Sequence, residues 1–294
     1  MELICSTIPF DKGVNALKYA VLNRGDELSV SLTETFHRLA EARGLVQDDE
    51  KPETVLSIGG DGTMLQAFHR YINRIDHTAF VGIHTGHLGF YADWKPDEIE
   101  LLVHMMAENR SKDQLPPRIV KYPLIELELD REDTGKKTYF ALNEFTLKCT
   151  DNTLVCQIDI NDELFEMFRG DGICVSTPSG STAYNKSLGG AMVHPSIPAI
   201  QLAEIASINN RVFRTLGSSL ILPKHHHFDI RPRQGQNLLL SIDHIHIRLS
   251  HLRSVRCRVA EQRVTFVRYR PFPFWKRVRE AFLGYDENGY SPTN

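Results

Sequence analysis

Hydrophobic positions fall in two different rhythms along the chain, and the change comes near residue 110. In the first part, short continuous apolar runs alternate with helical spacing. Leu3 to Ile8 reads as a first strand, ended by Pro9. From Asp26 to Arg43, Leu28, Leu32, Phe36 and Leu39 share one helical face, and Gly44 follows as a stop signal. Val55-Leu56-Ser57-Ile58 is a run of β-formers, and after the loop that follows it Leu65, Phe68 and Ile72 return to helical spacing. Ala79 to Ile83 is another unbroken apolar strand, and Pro96-Asp97 open a helix through Glu98 to Glu108. Uninterrupted strands separated by helices predict a parallel sheet covered on both faces, a Rossmann-like α/β domain over residues 1–110.

After Leu115-Pro116-Pro117 the period changes to two. Ile125, Leu127 and Leu129 alternate with Glu126 and Glu128; Cys156, Ile158 and Ile160 with Gln157 and Asp159; Ile245, Ile247 and Leu249 with His246 and Arg248; Val255, Cys257 and Val259 with Arg256 and Arg258. This predicts a mainly antiparallel β domain over 111–270 with one wetted face, interrupted by a helix near Ala199 to Ala206. The boundary is placed between residues 108 and 120. Phe272-Pro273-Phe274-Trp275 is too aromatic for a free tail, so residues 271–294 are expected to dock, with a short helix from Trp275 to Leu283.

Composition narrows the class. At 294 residues the chain suits two domains, and 41% hydrophobic with 24% charged residues is ordinary for a soluble globular protein. A formal net charge of −3 offers no basic face, so no nucleic acid partner is expected. No apolar run is long enough to span a bilayer, and Met1-Glu2-Leu3-Ile4-Cys5-Ser6 lacks the layout of a signal peptide. The five cysteines include no CxxC pair and read as free thiols of a reducing compartment, so a cytoplasmic protein is expected.

The chemistry centres on Gly59-Gly60-Asp61-Gly62-Thr63, a tight loop between strand and helix. Glycines there tolerate positive φ and let another group approach the backbone, and amides at a helix start attract phosphate. A carboxylate in such a cradle repels a phosphate unless a cation intervenes or the carboxylate takes a proton. Asp61 therefore reads either as a base acting on a hydroxyl beside a metal-bound phosphate, or as a plain cap of the helix. The loop is neither a Walker A loop nor a GxGxxG turn.

A second stretch runs from Arg169-Gly170-Asp171-Gly172 through a strand at Ile173–Ser176 to Thr177-Pro178-Ser179-Gly180-Ser181-Thr182-Ala183-Tyr184-Asn185-Lys186-Ser187-Leu188-Gly189-Gly190-Ala191. Hydroxyls and glycines concentrated there suit hydrogen bonds to a sugar or phosphate, or form an ordinary Ser/Thr-rich loop. A third is Leu142-Asn143-Glu144, read as an amide and a carboxylate interrupting an apolar strand. They either pair internally or read a base or ribose. His225-His226-His227 is read as a solvated edge rather than a metal site, because consecutive imidazoles on a strand cannot face one ion.

Gly59-Gly60-Asp61-Gly62-Thr63, Asn143-Glu144 and Thr177 to Tyr184 resemble, in order and spacing, the three signature motifs of NAD kinases. The resemblance covers nearly the whole chain, including Thr85-Gly86-His87-Leu88-Gly89-Phe90 and Ala206-Ser207-Ile208-Asn209-Asn210, and the Phe272-Pro273-Phe274-Trp275 ending is similar to the branch found in Gram-positive bacteria. The main departure is Ser179, where many members have Thr. The family transfers the terminal phosphate of ATP, in some members of polyphosphate, to the adenosine-ribose 2′-OH of NAD, with Mg²⁺ or Mn²⁺. Its site lies between an α/β and a β domain, and its tail returns to the first domain. The resemblance implies Asp61 as base and Gly62 lining the loop. It implies Asn143, Glu144, Thr182, Ala183, Tyr184, Asn185, Lys186 and Ser187 as adenosine contacts, and Arg169, Asp171, Ala206 and, more weakly, His244 as further nucleotide contacts. No residue is assigned as a metal ligand. It also implies a homodimer or homotetramer with some contacts from a neighbouring subunit.

Two rival functions follow from the same residues. A lipid kinase shares the Gly-rich loop, and Asn143-Glu144 with Thr177–Tyr184 speak against it. A non-catalytic NAD(H) sensor would keep the pocket, and retention of Asp61 speaks against that.

Overall fold

The computed structural model describes residues 16–86, 88–108 and 117–284; the strand expected at Leu3–Ile8, His87 and Leu115-Pro116 lie outside them. By contacts the chain divides into Met1–Val120 with Thr265–Asn294, and Lys121–Val264.

The first unit opens with β1 (Lys18–Asn23), α1 (Glu27–Ala42), β2 (Val46–Gln47), β3 (Thr54–Ile58), α2 (Asp61–Arg70), β4 (Ala79–Ile83) and α3 (Ile99–Glu108), the last preceded by a 3-10 turn at Pro96–Glu98. The strands run in the order β2-β1-β3-β4, all parallel. β3 and β4 are buried at every position, as unbroken apolar runs require of strands covered on both faces. Asp26 caps α1 by accepting the Ser29 amide at 2.8 Å. The buried stripe of α1 is Ser29, Leu32, Phe36 and Ala40, so the expected face is rotated by part of a turn and Leu28 is 47% exposed. Ser29 turns inward because its hydroxyl closes the cap, accepting from the Gly25 amide and donating to the Asp26 carbonyl. Ile72 falls in a 3-10 turn just beyond α2.

The second unit contains β5 (Arg118–Arg131), β6 (Gly135–Ala141), β7 (Glu144–Cys149), β8 (Leu154–Ile160), β9 (Glu163–Gly170), β10 (Gly172–Ser176), the single turn α4 (Tyr184–Ser187), β11 (Ala199–Ile205), β12 (Leu220–Pro223), β13 (His227–Pro232), β14 (Leu238–Ile242), β15 (Ile245–Leu249) and most of β16 (Leu252–Arg268). One sheet is β12-β11-β10-β7-β14-β15, antiparallel throughout. The other strands pair antiparallel as β16-β13-β8-β9, with β5 bonded to β16 and β6. Inward residues of both sets, among them Leu127, Phe145, Ile158, Val175, Phe228 and Val255, form one core.

Two local expectations are corrected. Ala199–Ile205 is a strand, not a helix, paired on both sides and buried except at Glu204. Burial of both faces erases the period-two pattern, and its Ala, Gln, Leu and Glu residues are good helix formers that sheet context overrides. Leu142-Asn143 is the tight connection from β6 to β7, not the middle of a strand.

At its end β16 enters the first unit, pairing parallel to β4 through Thr265 and Phe266. α5 (Phe274–Leu283) then packs on that unit, where the Phe90 ring lies 6.1 Å from Phe274 and 5.8 Å from Phe282. Phe274 is buried, but Trp275, expected to pack, is 55% exposed. The described cysteines, 149, 156, 174 and 257, are free thiols; burial pushes those of 156, 174 and 257 well up, which leaves them unreactive. No helix among the described residues is long and apolar enough to cross a membrane.

Candidate active site

β3 ends at Ile58, and the Gly59 amide donates to the Ile83 carbonyl at 2.9 Å, tying the loop to β4. A Cβ on Gly59 would lie 2.2 Å from Thr63 Oγ1, so the turn closes only around glycine. Positive φ is not required at Gly60, which sits at −91° as the residue preceding α2. A Cβ on Gly60 or Gly62 would meet open space, so the face of this loop is free for a ligand.

Asp61 is the first residue of α2 and does not cap it. Its carboxylate instead reaches the loop after β4, where the Phe90 amide donates to both oxygens (3.1 and 2.9 Å) and the Tyr91 amide to Oδ1 (3.2 Å). A Cβ on Gly89 would stand 2.2 Å from Asp61 Oδ1, so glycine is what admits the carboxylate there. Burial pushes the Asp61 carboxyl above the usual carboxylate range, against the pull of those amides and of the Arg277 and Arg268 guanidinium charges. A fixed, desolvated carboxylate beside open backbone amides at a helix start can accept a proton from a group held next to a phosphate.

In the second unit the Asn143-Glu144 turn is built by three segments. Asp243, in the β14–β15 turn at φ 51°, accepts the amides of Leu142, Asn143 and Glu144 at 2.9, 2.8 and 3.2 Å. Thr177 and Ser179 hydroxyls donate to the Leu142 carbonyl at 2.6 and 3.2 Å, and the Thr177 amide to that of Asn143 at 2.8 Å. Gly180 lies so close that a Cβ would be 2.0 Å from the Asn143 carbonyl oxygen. Burial, then the neighbouring Asp243 carboxylate, pushes the Glu144 carboxyl up to about 8. Its Oε2 is buried with no hydrogen-bond partner.

Thr182, Ala183 and Tyr184 are half-buried beside this turn, and the Tyr184 hydroxyl accepts from Lys148 Nζ at 3.2 Å. Lys186 and Ser187 are exposed. Asn185 is fully buried, its amide nitrogen donating to the Ser181 and Ala191 carbonyls, so it holds the loop together. His244 follows Asp243 and is exposed. Arg169, Asp171 and Ala206 meet elsewhere, because the Asp171 amide donates to Ile205 and the Ile208 amide to Arg169. They stand at the Gly172 end of β10, whereas Glu144 pairs with Ser176 at the other end, about 13 Å away along the strand.

Asp243, Gly89, Arg268 and Arg277 were missed by sequence reasoning; Gly89 alone carried a signal, as part of Thr85–Phe90. Asp162, His227 and Asp229 could in principle hold a metal, but Arg256 already bonds Asp162 at 2.5 Å and Asp229 at 2.8 Å.

A parallel α/β unit with a Gly-Gly-Asp-Gly loop, together with an antiparallel β unit whose turn and hydroxyl loop are stitched into one polar surface, has the fold of the pyridine-nucleotide kinases. Yeast NADH kinase, solved with NADH, superposes with a TM-score of 0.75 at 19% identity over 95% of this chain and 91% of its own. An NAD kinase from Archaeoglobus fulgidus, solved with ATP, gives 0.69 at 18% over 91% and 98%. Residues 15–110 match the ATP-NAD kinase N-terminal domain and 142–269 the C-terminal domain. NAD kinase 1 of Bacillus cereus is 52% identical over 91% of this chain and 99% of its own length, and that of Bacillus subtilis 52% over 92% and 100%. The chain belongs to the ATP-NAD kinase family, and its activity is that of an NAD kinase.

Proposed function

We propose that Asp61 is the general base of the phosphoryl transfer. It takes the proton of the adenosine-ribose 2′-OH of NAD as that oxygen bonds to the terminal phosphorus of ATP and the bond to ADP breaks. The observation that carries this reading is the Asp61 carboxylate itself, fixed by the Phe90 and Tyr91 amides rather than used as a helix cap, and pushed up by burial toward the range a base needs. Asn143, Glu144 and the Thr182–Ser187 segment hold the adenosine part. The N-terminal domain, 1–110, with the tail 271–294 supplies the base, and the β-rich domain, 111–270, supplies the dinucleotide contacts.

ATP, or polyphosphate, enters with Mg²⁺ or Mn²⁺ on its phosphates. The open faces of Gly60 and Gly62 suit such a donor, and with no P-loop lysine the ion neutralises the phosphates. The separation of Arg169, Asp171 and Ala206 from the Glu144 turn supports a homodimer or homotetramer in which this second group serves a neighbour's nucleotide. The enzyme works in the cytoplasm.

The test is Asp61→Asn. Asn keeps the size but turns an NH₂ toward one amide, which costs about 1–3 kcal/mol, so kinetics are measured well below the melting temperature. Turnover should fall by roughly 10²–10⁴ with NAD affinity little changed. Near-normal turnover in the folded variant removes Asp61 from the mechanism.

A further inference from the structure

We propose that the C-terminal helix α5 acts on catalysis through Arg277, a positioning residue that clamps the 89–93 segment and so fixes the carboxylate of Asp61. This rests on the reading of Asp61 as the base. Arg277 Nη1 donates to the Gly89 carbonyl at 2.7 Å and to the Ala92 carbonyl at 2.5 Å, and Nη2 to Asp93 Oδ1 at 3.2 Å. Arg268, at the end of β16, donates from Nη1 to the Tyr91 carbonyl at 2.8 Å and to Asp93 Oδ1 at 2.6 Å. The amides of the same segment, at Phe90 and Tyr91, are those that hold Asp61. The tail thus grips the segment by its carbonyls while Asp61 is gripped by its amides.

The cluster is poorly explained as a device for stability. Arg268 and Asp93 side chains are 1% exposed and that of Arg277 10%. Charges so hidden lose most of their attraction to desolvation. Arg268 Nε and Nη2 and Asp93 Oδ2 are buried with no hydrogen-bond partner. Both guanidinium groups also lie against the Phe272 ring, at 4.0 and 4.2 Å from its centroid. Asp93 bonds both arginines through a single oxygen, so it balances only part of their charge. Among the described residues, these guanidinium groups act also on the Asp61 carboxylate. Arg277 from α5 and Arg268 from β16 pull its carboxyl down, against the burial that pushes it up. The two arginines therefore oppose the protonation that burial favours, while the segment they clamp holds Asp61 in one place.

The experiment compares Arg277→Ala, Arg277→Lys and the control Arg279→Ala in wild-type and Asp61→Asn backgrounds. The control removes the same charge from an exposed position of the same helix. Arg277→Ala should lower kcat roughly 10- to 100-fold, the scale of a misplaced reacting group, with KM for NAD little changed. The acid limb of its pH profile should move to higher pH, because a positive charge that opposes protonation of Asp61 is gone. Hydrogen exchange at the Phe90 and Tyr91 amides should quicken. Arg277→Lys should restore the acid limb and only part of kcat, and Arg279→Ala should match wild type. In the Asp61→Asn background Arg277→Ala should cost little more, since both act through one group. An equal fold-loss in both backgrounds, or wild-type kcat and exchange in folded Arg277→Ala, overturns the proposal. If Arg277→Ala does not fold, Arg277→Lys decides: quicker exchange with lowered kcat supports the clamp, and wild-type values overturn it. If Asp61→Asn alone keeps its turnover, the base reading fails, while exchange at Phe90 and Tyr91 still tests the clamp.

Discussion

Glu144→Gln tests how the Asn143-Glu144 turn is held. In the folded chain burial, then the Asp243 carboxylate, raises the Glu144 carboxyl from its ordinary 4.5 to about 8, with only the Tyr184 amide pulling it down. The sign follows from linkage. A carboxyl raised on folding contributes stability that is whole below about 4.5 and is lost as pH climbs to about 8, where the folded protein must ionise a buried group beside a second carboxylate. At 1.36 kcal/mol per pH unit that loss is a few kcal/mol and at most about 5. Gln has the shape of the protonated acid, its carbonyl still accepts the Tyr184 amide, and the partnerless Oε2 becomes an equally partnerless NH₂. The variant should therefore match wild type at pH 5 and exceed it at pH 9.

The assay is thermal unfolding without nucleotide at pH 5, 7 and 9. With roughly 2–4 °C of melting temperature per kcal/mol for a chain of 150–250 residues, a gap near 10 °C should open at pH 9. The quantity read is the growth of the gap with pH, so constant differences between the side chains cancel. A gap that does not change with pH, or one that opens with wild type the more stable, refutes the reasoning and places Glu144 as an ordinary ionised carboxylate.

Gly180→Ala should cost at least about 3 kcal/mol, the upper end of overpacking, because the new Cβ would stand 2.0 Å from a backbone oxygen that cannot swing aside. Thermal unfolding should show it, and a loss below about 1 kcal/mol would mean that the Thr177–Tyr184 loop is free to shift away from Asn143. For assembly, inactive Asp61→Asn and inactive Asp171→Ala subunits mixed together should regain part of the activity through sites shared between copies. No recovery in verified mixed oligomers counts against a neighbour's Asp171 in the nucleotide site.

What could be read from the sequence was local. The strand-loop-helix around Gly59–Thr63 announces itself because β-formers, glycines and helical spacing adjoin within one stretch, and the parallel strands are continuous apolar runs. Where local signal and sheet context disagreed, context won: Ala199–Ile205 reads as a helix and is a strand with partners on both sides. Leu142–Glu144 has no Gly or Pro to mark a turn, because its amides are satisfied by Asp243, about a hundred residues away. Distance along the chain also hid what holds Asp61. A carboxylate at the start of a helix reads as a base or as a cap, and only the fold brings the amides of Phe90 and Tyr91 to it, some thirty residues on, and sets Arg277 behind them. Gly89 and Gly180 join the two levels. Both stand in motifs visible in the sequence, yet neither is needed for its own turn: at each, a missing Cβ makes room for a distant motif, the Asp61 carboxylate in one case and the Asn143 backbone in the other. Glycines in such motifs are therefore better read as contact points between motifs than as hinges within them, and that reading directs a search for the partner that fills the space.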